Sequence, residues 1–570
     1  MAKKTQRFTT SAYDGPKDAE LYTPKGYKFE DKVLSPLAEE MIYWAAHYID
    51  KPEYWTRLAN EENFWSCLKL ELPGTKAKWP TDFMPLLKQI NAEVEAEKEA
   101  KKQAKKAMTK AEKEAEEANK KALKEQYGTA VIDGKRVPLD GYQIEGPGII
   151  ITRGKDPRFG LWKYRVTRAD VTLNIVGNYK PKNWPGKTES SNTSEWIYKY
   201  KVQLGPVGGP HSMVLNKKVC IGATTDIRQK NTENKFDTNR VVLQHWTEIS
   251  KLIEDGLKSK DKVVVEHAAC AWLMQMTGIR VGNPRDLSKF ADTKGATTLL
   301  GKNLKINGSI MNVNFLGKDS VPFNADVELD TLELSKAFSS LIKGAGLSGY
   351  VFPDVTSGSL KEFLEQVCEG ITCKGMRTAK CNEVFANVLK NSKVTKDSSM
   401  AEKMKVIFQA NLEVAKKLNH QKNVSKNYQA GEDKSKERVA NQKEQLKALK
   451  EKLAEKKAAQ KDKKAKLKEK YSGAELKERL NKIKEQEEKD AARLEKKIAS
   501  LDKAEFNLEK KKQTKDISLG TSLNNYVDLE LLNSFCTEME IPLEKIFTKT
   551  QLAKMDWCMN ADPNLWRNYP

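Results

Sequence analysis

The chain has 570 residues, of which 31% are charged, and 100 Lys and Arg against 78 Asp and Glu give a formal net charge of +22. That length excludes a single core, the charge asks for a polyanionic partner, nucleic acid before an anionic membrane surface, and the most apolar run, Ala268 to Met276, is too short to span a bilayer. The N-terminus lacks the apolar core of a secretion signal, and the eight scattered cysteines form no C-x-x-C pair and have no histidine at ligand spacing, which argues against zinc and for reduced thiols inside a cell.

Residues 1–20 are polar and are expected to be a short disordered arm. From Tyr22 to about Leu87 the chain is dense in aromatics, with Trp44, Trp55, Trp65 and Trp79, and predicts a compact, mainly helical part. Ala92 to Gln126 is rich in Ala, Glu and Lys without Gly or Pro, which predicts a long exposed helical segment. Val131 to Asn216 carries β-branched residues broken by Asp133-Gly134, Asp140-Gly141, Gly146-Pro147 and Gly205-Pro206, the pattern of a small β-rich unit. Between Val219 and Asn427 helical periods alternate with short strands. Val263 to Met276 reads as a core helix, and Ser309 to Leu316 alternates like a strand. Residues 432–516 are low in complexity, with 28 Lys and Arg against 19 Asp and Glu. Leu446, Leu449 and Leu453, then Leu476, Leu480 and Ile483, then Leu494, Ile498 and Leu501 follow three-four spacing. With Tyr471-Ser472-Gly473 as the break, the expectation is an antiparallel coiled-coil hairpin. Residues 517–570, with Trp557 and Trp566, form a small folded domain.

Several chemistries are set aside. There is no G-x-x-x-x-G-K-[ST], no H-E-x-x-H and no G-x-S-x-G. Neither ATP use nor metal hydrolysis is signalled. What remains is an ordered set of strings: Gly278-Ile279-Arg280-Val281-Gly282-Asn283, Phe315-Leu316-Gly317-Lys318-Asp319-Ser320, Met376-Arg377-Thr378, Asn419-His420-Gln421, and Ser518-Leu519-Gly520-Thr521-Ser522 leading to Asn525-Tyr526. Taken singly, each has a plain explanation: Arg280 and Arg377 as structural arginines, Lys318 as one of many lysines, His420 as a helix-end residue, Tyr526 as a packed aromatic. In this order, with the hairpin before the tyrosine, they resemble the eukaryotic-type DNA topoisomerases IB, and the resemblance runs from about Tyr22 to the end.

The resemblance implies an α+β multidomain protein. A cap of residues 21–216 and a mainly helical catalytic core of tyrosine-recombinase/type IB type, 217–428, would clamp duplex DNA as a monomer. A coiled-coil linker, 429–515, and a C-terminal domain, 516–570, would complete it. The implied reaction relaxes supercoils without ATP, metal or cofactor, by transient cleavage of one strand through a 3′-phosphotyrosine. The residue types suit it. A phenol is a covalent nucleophile whose ester conserves the bond energy, but phenols ionise near pH ~10 and need positive surroundings. By resemblance Tyr526 is the nucleophile, Arg280 and Arg377 bind the non-bridging oxygens, His420 adds a donor, and Lys318 protonates the leaving 5′ oxygen. Arg153, Asn283, Asp319 and Asn525 match DNA-contacting positions.

The chain departs from the family pattern at Leu523, Asn524, Pro284, Ile151, Thr152 and Lys422. A tyrosine recombinase-like strand transferase is the nearest rival, yet it carries His-x-x-Arg where this chain has Lys374-Gly375-Met376-Arg377. A non-catalytic basic chromatin protein is the other alternative. The implied address is the nucleus, with a viral, cytoplasmic or virion-packaged protein as the alternative; a membrane partner is not expected.

Overall fold

The computed structural model of the chain describes residues 7–209, 211–425 and 427–570. The architecture is α+β, with far more helix than strand. The chain forms two units. One comprises the described residues up to Asn234 together with Asn283–Lys294 and Asn314–Pro322; the other comprises those of Lys235–Gly282, Gly295–Val313 and Phe323–Pro570.

In the first unit, helices Pro36–Ala46, Pro52–Asn60 and Glu62–Leu70 contribute Met41 and Ile42, Leu58, and Phe64 and Leu68 to one buried core, with Trp44, Trp55 and Trp65 partly buried against it. Ser35 caps the first, accepting from the amide of Ala38, and Pro36 opens it. Trp79 packs 4.8 Å from Phe64, and Trp65 5.8 Å from Phe83. The largest sheet has six strands, of which the longest, Trp196–Leu204 and Met213–Cys220, pair antiparallel, and a three-stranded and a two-stranded sheet accompany it. The domain boundary expected at 216–217 therefore falls inside a strand.

A further expectation for this unit fails. The arm expected to be disordered over 1–20 is ordered from Arg7 onward, its first six residues lying outside the described ones. Phe8 and Tyr13 are buried, Ser11–Ala12 pairs with Thr129–Ile132, and the Asp133 carboxylate accepts from the amides of Thr9 and Thr10. Two aromatic side chains are enough to dock a polar segment that average composition makes look solvated. The exposed helical segment expected over Ala92 to Gln126 is present, as two helices, Met84–Ala107 and Lys110–Tyr127. Thr109 and Glu112 form a capping box between them, so a new helix starts without any Gly or Pro. The first buries only its opening turns, through Leu86, Leu87, Ile90 and Val94, and the second buries nothing.

In the second unit, helix Lys262–Thr277 runs through the core, burying Ala268, Ala269, Cys270, Ala271 and Leu273. Helices Cys373–Lys390 and Met400–Lys417 lie in the same core. Helices Tyr428–Lys470 and Gly473–Gln513 run antiparallel, with ion pairs Lys443–Glu505 at 2.8 Å, Lys456–Asp490 at 2.6 Å and Lys464–Glu487 at 2.8 Å. Val439, Leu446, Ile483 and Ala504 are the buried positions of the pair. Ile498, expected in the seam, is 37% exposed. Lys497 beside it is half-buried instead, its ammonium donating to Gln445 of the facing helix. No helix among the described residues is long and apolar enough to cross a membrane.

Candidate active site

Arg280 stands where a helix end meets a tight chain crossing. Helix Lys262–Thr277 stops at Gly278, which takes the left-handed conformation, φ 66°. The carbonyls of Arg280 and Val281 then accept from the amides of Ala296 and Thr297, each at 2.8 Å. The crossing is possible because Gly282 faces Gly295: a Cβ on Gly282 would stand 2.9 Å from the Gly295 Cα, at a φ of +83°. Gly282→Ala should therefore cost about 2–3 kcal/mol in stability, since backbone meets backbone and the left-handed conformation is lost. Thermal unfolding checks it, and an unchanged Tm would refute the account. The Arg280 side chain itself is exposed.

Arg377 lies in the first turns of helix Cys373–Lys390 and is 6% exposed. Its fork is spread over three segments. Nε donates to the Gly278 carbonyl at 2.6 Å, Nη2 to the Leu418 carbonyl at 3.1 Å, and Nη1 to the Tyr526 hydroxyl at 2.8 Å. One guanidinium thus ties together the approaches to Arg280, His420 and the tyrosine. Burial lowers its pKa, opposed by Tyr526.

His420 follows helix Met400–Lys417 after Asn419, which takes a left-handed φ of 52°. Its amide donates to the Ala415 carbonyl, and its carbonyl accepts from the Ser518 amide at 2.7 Å, just before the helix Leu519–Asn525 that leads to Tyr526. The imidazole is 8% exposed and 5.4 Å from the Tyr526 ring, yet neither ring nitrogen has a hydrogen-bond partner among the described residues. Desolvation, then Arg377 and Arg280, push its pKa down to about 4. A folded pKa below the unfolded value of 6.5 penalises protonation of the folded chain. The neutral ring's stability is thus present at neutral pH and lost as pH falls from about 6.5 towards 4. NMR titration should find His420 neutral in the free protein at pH 7, with a pKa that rises when a phosphodiester occupies the site. A pKa near 6.5 without ligand would contradict this environment.

Tyr526 is 7% exposed and closes its helix, its amide donating to the Ser522 carbonyl at 2.9 Å. The residues that grip the chain beside it were invisible to sequence reasoning. Asn382 donates to the Tyr526 carbonyl and accepts from the Asp528 amide. Lys235 donates to the Asn525 carbonyl at 2.9 Å, and burial followed by Lys374 lowers its pKa to about 8. Asp528 is fully buried and accepts from Arg240 at 2.6 Å and from the Tyr569 hydroxyl at 2.8 Å. None of these residues sits in a recognisable string. The exposed Asn525 side chain points back, donating to the Thr521 carbonyl.

Arg280, Arg377, His420, Asn525 and Tyr526 thus belong to the second unit, while Lys318, Asp319, Arg153 and Asn283 belong to the first. Lys318 is exposed at the tip between strands Ile310–Leu316 and Pro322–Glu328. The tip is tight: Asp319 and Ser320 take left-handed φ values of 62° and 56°, and the Gly317 amide donates to the Val321 carbonyl. Ser320 donates to the Arg153 carbonyl at 3.4 Å. Arg57, also unforeseen, holds the same turn through the Gly154 and Asp156 carbonyls, with its guanidinium 3.8 Å from the Phe159 ring centre. Arg153 and Asn283 are exposed.

Three family models match the chain. One described as the DNA binding fragment of eukaryotic DNA topoisomerase I matches residues 10–206, one described as its catalytic core matches 224–453, and a C-terminal topoisomerase domain matches 496–567. The chain belongs to the eukaryotic DNA topoisomerase I family. It is 29% identical to DNA topoisomerase 1 beta of Arabidopsis thaliana over 93% of its length and 56% of that protein's, and 29% identical to the alpha form over 98% and 59%. To DNA topoisomerase 1 of Homo sapiens it is 26% identical, over 96% and 70%. The chain thus spans rather more than half the length of the two plant relatives. One departure from the topoisomerase I pattern has a local partner: the Asn524 side chain accepts from Gln551 of helix Lys549–Leu552 at 2.9 Å. Nothing in the structure explains Leu523.

Proposed function

We propose that this chain is a type IB DNA topoisomerase that relaxes supercoiled duplex DNA without ATP or a metal ion. One observation carries the reading. A buried tyrosine hydroxyl is held by an arginine beside a histidine whose two ring nitrogens are both unpaired among the described residues. An unmet buried donor costs roughly 1–3 kcal/mol, and a phosphodiester oxygen is the partner that fits beside two arginines. Tyr526 Oη would attack the phosphorus, forming the O–P bond as the P–O5′ bond breaks and giving up its proton to water. Arg280, Arg377 and His420 would take the charge on the non-bridging oxygens. Lys318, at the end of its tight hairpin, would supply the proton to the departing 5′ oxygen. The intact strand then acts as a swivel, and attack by the 5′ hydroxyl reverses every step, releasing the tyrosine.

The same reading gives the chain the tyrosine-recombinase type of catalytic fold and double-stranded DNA as its partner. Residues 21–216 would form the cap, 217–428 the core and 516–570 the C-terminal domain. The helical pair near 429–515 would act as a coiled-coil linker, and the chain would work as a nuclear monomer clamped on the duplex. Arg153, Asn283, Asp319 and Asn525 would contact DNA, mostly through phosphates. Relaxation of a supercoiled plasmid in EDTA without ATP tests it. The expected product is relaxed circles, with a covalent adduct on a 3′ phosphate when the reaction is trapped. Plasmid left supercoiled, or a 5′-linked adduct, would overturn it.

A further inference from the structure

We infer that Asn382 is a positioning residue for the nucleophile, acting on the main chain of Tyr526. Tyr526 ends its helix at φ −122°, ψ −35°, so its carbonyl and the amides that follow lie beyond the helical ladder. Ser522 takes the amides of Tyr526 and Val527. The Tyr526 carbonyl and the Asp528 amide remain, and one fully buried side chain serves both. Asn382 Nδ2 donates to the Tyr526 carbonyl at 3.0 Å, and Oδ1 accepts from the Asp528 amide at 2.7 Å. The amide's second N–H is fixed on the Thr378 carbonyl of its own helix at 3.0 Å. That helix, Cys373–Lys390, also carries Arg377, which holds the hydroxyl of the same tyrosine. One rigid element therefore grips the nucleophile at both ends, its backbone through Asn382 and its reacting oxygen through Arg377.

The consequence is geometric. In-line attack needs the oxygen placed to within a fraction of an ångström, and a shift of about 1 Å can cost about 100-fold in rate. The inference rests on Tyr526 being the nucleophile. A positioning role predicts slower cleavage and slower resealing together, with DNA affinity unchanged, because both steps share one transition state. The Asn382→Asp variant sharpens the distinction. Its carboxyl, when protonated, has the amide's shape and can donate its one O–H to the Tyr526 carbonyl while accepting from the Asp528 amide, losing only the bond to Thr378 of its own helix. When ionised, it sets a carboxylate oxygen against that carbonyl, and burial raises its pKa. The neighbouring charges, Asp528 with Arg240 and Tyr569, Lys235 on Asn525, and Arg377, are common to both proteins. Their titration cancels in a ratio of variant to wild type.

The test is single-turnover adduct formation on a nicked suicide duplex by the full chain, with duplex affinity and Tm measured alongside. Asn382→Ala should form adduct about 30- to 100-fold more slowly, with a Kd within about three-fold of wild type. Asn382→Asp should be similarly slow near pH ~8, and its rate relative to wild type should climb about ten-fold towards pH ~6. An alanine variant within three-fold of wild type, or an aspartate ratio flat with pH, overturns the inference. If the alanine variant does not fold, the aspartate ratio decides alone. A wild type that forms no adduct would instead remove the nucleophile reading beneath it.

Discussion

Arg377→Lys should lower the rate of covalent adduct formation by about 10³-fold, about 4 kcal/mol of transition-state stabilisation. The size follows from geometry rather than charge. The planar fork reaches the Gly278 carbonyl, the Leu418 carbonyl and the Tyr526 hydroxyl in three directions at once. A lysine ammonium keeps the charge but places its donors on a single atom at the end of a flexible stem. Its three N–H groups radiate from that one atom and cannot reach all three spread acceptors, and each one missed is left buried and unpaired at a cost of about 1–3 kcal/mol. The variant should thus lose stability as well as rate, and the two losses separate. Binding of an uncleavable duplex should weaken far less than adduct formation, because the two main-chain contacts set position while the third donor faces the reacting oxygens. A lysine variant within about ten-fold of wild type would show that charge alone suffices and that the three-way fork is structural.

Tyr526→Phe should abolish relaxation, with at least about 10⁴-fold loss, since no other residue would receive the phosphoryl group. The phenyl ring can keep the 5.4 Å approach to His420, and the main-chain bonds to Ser522 and Asn382 do not involve the hydroxyl. The variant should therefore fold and bind duplex about as well as wild type. The one group it strands is the Arg377 N–H that the hydroxyl accepted from, a cost of about 1 kcal/mol in the free protein. Plasmid relaxation and duplex binding on the same preparation check both halves. Residual relaxation above the background of a mock purification would place the nucleophile elsewhere.

The arginines, the histidine and the tyrosine of the candidate site could be put forward from the sequence because each sits in a short string of recognisable order, and helix Lys262–Thr277 because its apolar residues cover most of its faces. The sequence did not make Asn382, Asp528, Arg240 or Lys235 legible. Their roles come from main-chain hydrogen bonds across 144 residues for Asn382 and 290 for Lys235, and a side chain that serves a distant backbone leaves no local pattern. The disordered arm failed for the same reason, and the break within the helical segment went unread. Average composition could not register the two aromatics that dock the arm, nor the capping box at Thr109. Ile498 failed differently: three-four spacing admits two phases, and only the facing helix selects Lys497 over its neighbour.

The unpaired imidazole of His420 has a consequence for selection on the free protein. A chain optimised for its own folding would fill that niche with a leucine or supply the ring with a carbonyl. Keeping it empty-handed makes the unliganded fold weaker than it need be, and gives the missing partner a place to recover that difference on arrival. Tolerance of mutation elsewhere should accordingly be narrowest when the protein is off its ligand. Substitutions that harm it in isolation should be partly masked whenever the site is filled.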